Sequence, residues 1–410
     1  MTDGVTEGQP EPVRPRVILL GSDELSRELA IALRHLGAEV IAVDEYPDAP
    51  AHGVADQSLV LEMTDTDELT ALIKRLQPDF VVTAADAVSL DALDALAAGP
   101  DNELTELVPS ARTVRLTADR EGLRRLAADQ LGLPTAPFWF VGSVDNLKAV
   151  AAHAGFPLLV EPVARTADQR GSVAVGPDDI EPAWQRAVGP ERQRVLAETV
   201  VEIEFYVTLL AIRSDGPNGP VIEFCSPIGH RGAQADVQES WQPQQLSPAA
   251  TDAAKSIAAR IVKALGGRGV FAVDLMINGD EVYFANVSAR LPQSAWVTLR
   301  SQRLSVFELQ ARAILSLPVD TLMISPAAAR AIHRGPETGQ ASPGGSLSAD
   351  ALAGALSVPE TDLRVFGRGS ARQVGVAVAM APDVATARDR ARAAATALSG
   401  VPTVGSQRPS

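Results

Sequence analysis

Val270–Thr298 reads VFAVDLMINGDEVYFANVSARLPQSAWVT, and its two alternating apolar runs flank Asn278-Gly279, the usual punctuation of a β-hairpin. Side chains alternate with period 2 along a strand, so the length of the turn decides which polar residues share a face. A two-residue turn at Asn278-Gly279 would separate Asp274 from Asn286. A three-residue loop, Gly279-Asp280-Glu281, sets them opposite one another and gathers Val273, Leu275, Ile277, Tyr283, Ala285 and Val287 on one apolar face. That register predicts a packed sheet presenting Asp274, Asn286 and Ser288 together on its other face.

Upstream, Arg16–Leu20, Glu39–Val43 and Asp79–Thr83 read as strands and Glu24–Leu36 as a helix. Strands alternating with helices predict an α/β fold that opens with a doubly wound parallel sheet. Gly21 and Asp44 stand where a dinucleotide-binding fold holds phosphate and ribose. The loop Gly-Ser-Asp-Glu-Leu-Ser lacks the second and third glycines of that fingerprint, so a dinucleotide-binding protein ranks last among the alternatives. Leu116–Leu131 reads as one amphipathic helix, and Phe156–Ser172 as strand, loop, strand. Ser305–Leu315 and Ala385–Leu398 read as helices. From about Met323 a small β-rich region is expected, interrupted by the Pro/Gly/Ser loop Arg334–Ser348.

The 410 residues suffice for two or three domains, and a composition 46% apolar and 21% charged is that of a globular protein. No apolar run of membrane-spanning length occurs, and Met1–Arg14, acidic and rich in Pro and Gly, lacks the apolar segment of a signal peptide. It is expected to be a disordered tail. Cys225 is the single cysteine, which excludes an internal disulfide, suits a reducing cytoplasm and favours a buried structural thiol. A net charge of −15 argues against nucleic acid and anionic membranes as partners. Any phosphate ligand must then be held by local cations.

Four segments carry a resemblance: Leu20–Leu25 (LGSDEL), Cys225–Arg231 (CSPIGHR), Glu239–Gln245 (ESWQPQQ) and Gly279–Val282 (GDEV). Together they resemble the formate-dependent phosphoribosylglycinamide formyltransferases of purine synthesis, a family of the ATP-grasp superfamily, from about Arg16 to Ala394. The resemblance implies an N-terminal Rossmann-like domain over 15–118, an ATP-grasp domain over 119–320, a C-terminal module over 321–410 and a homodimer. It also implies MgATP, formate and glycinamide ribonucleotide as ligands.

By the same resemblance, Glu24 and Leu25 meet the ribonucleotide substrate, and Arg290, Arg368 and Arg372 its phosphate. Arg120 meets the nucleotide, Glu198 and Val201 lie in its adenine-binding strand, and Asp274 and Asn286 take the positions of two metal-bridging glutamates. Other positions depart from the family. Ala84 and Tyr206 replace acids, Glu161 replaces the phosphate-binding lysine, Asp168 a loop glycine, Gln293 an aspartate and Gln373 an arginine. Two unit charges ~4 Å apart interact by about 4 kcal/mol at an effective dielectric of ~20, against roughly 8 kcal/mol for micromolar binding. This count predicts a degenerate site with impaired or absent catalysis. The alternative is a working transformylase whose rearranged nucleotide site uses Arg165, Arg170 and Glu204.

Overall fold

The computed structural model describes residues 14–99, 104–163, 171–188, 194–231, 237–333, 349–366 and 373–398. The expected N-terminal tail (but for Arg14), most of the loop after Pro162 and the Arg334–Ser348 loop (beyond His333) lie outside these residues. The chain divides into two compact units after Val108.

In the first unit, β1 (Arg16–Leu20), β2 (Glu39–Asp44), β3 (Gln57–Val60), β4 (Phe80–Thr83) and β5 (Glu106–Val108) form a parallel sheet in the order β3-β2-β1-β4-β5. The doubly wound expectation holds. Helices α1 (Glu24–His35), α2 (Thr66–Leu76) and α3 (Leu90–Ala98) join the strands. Asp23 starts α1 by accepting from the Ser26 amide at 2.8 Å, and Leu25, Leu29 and Leu33, four apart, bury one face.

The second unit begins with α4 (Ala111–Ala118) and α5 (Arg120–Arg125), then a single π-helical turn over Leu126–Gln130. The single helix expected over Leu116–Leu131 is therefore corrected. Asp119 has extended backbone (ψ 94°) and caps the new helix through the Gly122 amide at 3.0 Å, which breaks the run in two. Strands β6 (Phe138–Val141), β7 (Leu158–Pro162), β8 (Ser172–Ala174) and β9 (Val195–Thr199) pair in the order β6-β9-β7-β8. Helices α6 (Val144–Ala154) and α7 (Ile180–Ala187) cover one face, packing on Leu158, Val160, Val195 and Ala197. The other face is left for polar work.

The large sheet contains β10 (Phe205–Gly216), β11 (Gly219–Phe224), β12 (Ile228–Arg231), β13 (Glu239–Gln242), β14 (Gly269–Asn278), β15 (Glu281–Ser288), β16 (Ala327–His333), β17 (Thr361–Val365) and β18 (Gln373–Met380). Its order is β15-β14-β10-β12-β13-β16-β18-β17, with β11 on β10, so it runs unbroken from the hairpin into the C-terminal strands. Helix α8 (Pro248–Leu265) buries Ala254, Ile257, Ile261 and Leu265 against Val207, Leu209, Val273 and Leu275. Short α9 (Thr298–Ser301) and α10 (Val306–Ile314) follow the hairpin. After them α11 (Ala349–Leu356) and α12 (Val384–Leu398) flank the C-terminal strands.

The hairpin meets its expectation in one respect and corrects it in another. Asp274 does pair with Asn286, but the turn is the two-residue Gly279-Asp280, since Asn278 pairs with Glu281. A bulge supplies the missing residue: Leu275 opposes Phe284 while Asp274 opposes Asn286, leaving Ala285 extra. Val282, Phe284 and Val287, rather than Tyr283 and Ala285, therefore complete the core face with Val273, Leu275 and Ile277.

Candidate functional site

Ladder partners share a face, and on the small sheet Phe138 pairs with Glu198, Leu159 with Glu198, and Phe140 and Glu161 with Leu196. These side chains form the face that α6 and α7 leave uncovered. Arg120 and Arg124, one helical turn apart, reach it from α5. Arg120 forms an ion pair with Glu161 and donates through Nη1 to the Pro162 carbonyl at 2.9 Å. Arg124 forms an ion pair with Glu198, both side chains under 10% exposed, and lies over the Phe138 ring at 5.6 Å.

Burial pushes the Glu198 carboxyl above its ordinary range, Arg124 draws it back, Glu161 raises it further and Arg120 opposes that. Tyr206 stands beside the same group. Its phenol is raised first by burial and then by the Glu198 and Glu161 carboxylates, and its ring stacks on His230 at 6.2 Å. Glu204 is exposed just ahead of β10, with its amide donating to the Ile277 carbonyl at 2.8 Å, and Val201 is half-buried in the preceding link.

On the large sheet Thr208 opposes Asp274, which opposes Asn286. Thr208 Oγ1 donates to Asp274 Oδ1 at 2.7 Å, and Ser294 Oγ donates to Thr208 Oγ1 at 3.2 Å; Asp274, Thr208 and Ser294 are all buried. This polar chain stands on the face opposite the α8 core. Gln293 accepts from the Trp296 indole at 2.8 Å, and Ser288 Oγ accepts from the Arg290 amide at 3.1 Å. Gln373 Nε2 donates to the Gly375 carbonyl at 3.3 Å. Arg165, Asp168, Arg170, Arg368 and Arg372 lie outside the described residues.

Among the described residues no group of three or more His, Cys, Asp or Glu side chains is placed to hold a metal ion. One carboxylate and one amide oxygen, Asp274 and Asn286, still fit Mg²⁺, which is usually held by one or two carboxylates plus phosphate oxygens and water.

In the first unit Glu24 opens α1 and Leu25 is buried beneath it. The Ala84 amide donates to the Leu20 carbonyl at 2.7 Å. Asp44 accepts from the Ser22 amide at 2.7 Å and from the Glu45 amide at 2.8 Å, so it braces the strand-end loop.

Sequence reasoning missed Arg124, Thr208, His230 and Ser294. A signal existed for the first, because Arg120 and Arg124 are four apart in REGLRR and must share a helix side. Thr208 becomes visible only through strand pairing with Asp274 across 66 residues, and Ser294 only through its side-chain hydrogen bond to Thr208 across 86.

The family described as ATP-grasp domain matches residues 126–307, and the family described as PurT, C-terminal, matches residues 345–398. A formate-dependent phosphoribosylglycinamide formyltransferase of Corynebacterium glutamicum is 46% identical over 395 residues, 94% of this chain and 95% of that protein. This chain belongs to the formate-dependent phosphoribosylglycinamide formyltransferase family. Another member, from Paraburkholderia xenovorans, is 44% identical over 93% of the chain and 95% of its own length. A solved structure, glycinamide-RNase-transformylase T from Mycobacterium tuberculosis, is 65% identical, covers 93% of this chain and 99% of its own, and has a TM-score of 0.80. The α/β ATP-grasp fold is thereby established.

The degenerate-site reading is corrected by these relationships. A chain 46% identical to a formyltransferase over 94% of its length aligns with the working alternative instead. The charge count behind the earlier reading took each substituted residue alone. Glu161 is not a bare negative charge, because Arg120 is paired with it.

Proposed function

We propose that this protein is a working formyltransferase that makes formylglycinamide ribonucleotide from glycinamide ribonucleotide, formate and ATP with Mg²⁺. The observation that carries the reading is the near full-length 46% identity to the Corynebacterium glutamicum formyltransferase. In this reaction a formate oxygen takes the γ-phosphoryl group, giving formyl phosphate and ADP. The substrate amine then attacks the formyl carbon, phosphate leaves and the amine proton is released.

The site residues suit these steps. Arg120 and Arg124 provide cations on the polar face of the small sheet, and Arg165 and Arg170 follow β7 in the sequence. By the family resemblance, Glu198 and Val201 are assigned to the adenine and Glu204 to the ribose hydroxyls. Asp274 and Asn286 would hold Mg²⁺, which screens phosphate charge when bound, while Thr208 fixes the Asp274 carboxylate. Glu24, Leu25, Arg290, Arg368 and Arg372 are assigned to the ribonucleotide. The same reading takes the chain as a cytoplasmic homodimer with regions 15–118, 119–320 and 321–410.

The test is direct. Purified protein given formate, MgATP and glycinamide ribonucleotide should yield formylglycinamide ribonucleotide and ADP in equal amounts, at an ordinary turnover of about 1 to 10³ s⁻¹. ADP without formylated product, or neither, would refute the proposal.

A further inference from the structure

We propose that Glu161 is an internal competitor for Arg120, a carboxylate that occupies this guanidinium until nucleotide phosphate displaces it. The inference rests on the nucleotide reading above and adds a means of setting affinity. Three observations carry it. First, Arg120 is engaged twice at the end of β7, by the Glu161 carboxylate and by the Pro162 carbonyl 2.9 Å from Nη1. Both partners are about one-fifth exposed, so the pair is neither sealed in the core nor loose on the surface.

Second, the backbone is shaped around this position of Glu161. A Cβ on Gly171 would lie 2.7 Å from Glu161 Cγ, so the returning chain passes directly over the side-chain stem. A side chain at 171 would require the Glu161 side chain to shift. Third, among the described residues the neighbouring charges pair off without ligand: Arg120 and Arg124 face Glu161 and Glu198, and Glu161 and Arg120 act in opposite directions on Glu198. A phosphate chain entering here finds both of these arginines already in ion pairs. It gains one by exchanging places with the Glu161 carboxylate, since both are anions that recognise a guanidinium by the same planar hydrogen-bonding edge. Binding is thereby an anion exchange, and the affinity measured is a difference between two pairings.

The experiment measures MgATP affinity of the full-length protein by calorimetry for wild type, Glu161→Gln, Arg120→Ala and the double variant. Glu161→Gln should tighten MgATP by at least about tenfold, on the order of 1.4 kcal/mol. In the Arg120→Ala background the same change should give no gain, because the carboxylate acts through the guanidinium. Glu161→Ala, which offers Arg120 no new acceptor, should repeat the gain and covers the case of a misfolded glutamine variant.

No tightening in either Glu161 variant overturns the proposal, and product formation by wild type would leave the formyltransferase reading standing. Equal tightening with and without Arg120 also overturns it, since Glu161 would then act by direct repulsion of the ligand. Tightening through Arg120 in a protein that forms no formylated product supports the competitor and refutes the formyltransferase. Absence of MgATP binding in every variant sinks both.

Discussion

Asp274 and Asn286 face each other across β14 and β15, and one extra residue, Ala285, puts them there. A regular ladder from the Gly279-Asp280 turn would set Asn286 opposite Val273, on the core face, and turn Val287 out of the core. The bulge changes the parity of the strand between Phe284 and Asn286, so that both apolar neighbours stay buried and both polar side chains reach the site. A backbone irregularity thus connects packing to function.

Thr208 is the side chain that orients Asp274, donating at 2.7 Å from a position 1% exposed. Thr208→Val keeps the shape and removes the donor. We expect the KM for Mg²⁺ to rise by about 10- to 100-fold, the usual effect of losing a partner behind a metal ligand, with an unchanged circular dichroism spectrum. An unchanged Mg²⁺ dependence would show that Asp274 needs no such support or holds no metal.

Gly21 has a φ of +101°, and a Cβ there would lie 2.6 Å from the Ala85 amide nitrogen. Gly21→Ala therefore meets both a backbone conformation unsuited to L side chains and a backbone clash that no rotamer relieves. A loss of about 2 kcal/mol or more of unfolding free energy is expected in urea. Wild-type stability in this variant would mean that the loop after β1 repositions freely.

Cys225 is buried, and burial pushes its thiol up to about 12, with Sγ 3.6 Å from Gln302 Oε1. The thiolate is the reactive form. Iodoacetamide at pH 8 should leave the native protein unmodified by intact mass and label it once in denaturant. Rapid native labelling would contradict the burial.

The parallel sheet and the hairpin were legible because each is written in the local alternation of side chains, whereas the Asp274–Asn286 pairing was expected from a three-residue loop and is produced instead by a bulge. The bulge was not legible, since Gly279-Asp280-Glu281 and Gly279-Asp280 turns read alike until strand contacts choose between them. Residue counting took the charges of the nucleotide face one at a time for a related reason. Arg120 and Glu161 are 41 residues apart and Arg124 and Glu198 are 74 apart, so compensation between them is a property of the fold.

Arg124 and Glu198 test that compensation. Their ion pair is almost wholly buried, so removing one partner leaves the other charged and without its counter-ion in low dielectric. Arg124→Met should cost roughly 3 to 5 kcal/mol in chemical denaturation, and a second change, Glu198→Leu, should recover part of the loss while abolishing nucleotide binding. Stability equal to wild type in Arg124→Met would mean that Glu198 takes up a proton instead, which its raised pKa makes measurable as a new pH dependence.

Glu239 gives the pH prediction. It is 2% exposed on β13 and is held by Arg388 through two hydrogen bonds of 3.0 and 2.9 Å, with Arg392 at 3.6 Å and Arg330 at 3.9 Å. Desolvation raises its carboxyl, but the Arg388 hydrogen bonds and the charges of Arg388, Arg330 and Arg392 outweigh this, and the result lies below the ordinary 4.5. A carboxyl lowered on folding binds protons more weakly in the native state. Its stabilisation is therefore complete above the unfolded value and is lost as pH falls through the folded one. Between pH 7 and 5 the melting temperature of wild type should exceed that of Glu239→Gln by a constant margin, because the glutamine leaves three guanidinium groups without their shared counter-charge. Below about pH 4.5, the reference value of the free side chain, the margin should shrink as wild type loses what the variant never had. Arg388 also lies over the Trp241 ring at 4.1 Å, so near-ultraviolet circular dichroism follows the same transition at its site. A margin that stays constant down to pH 3 would show that Glu239 does not carry acid stability, and that the arginines are held by their packing alone.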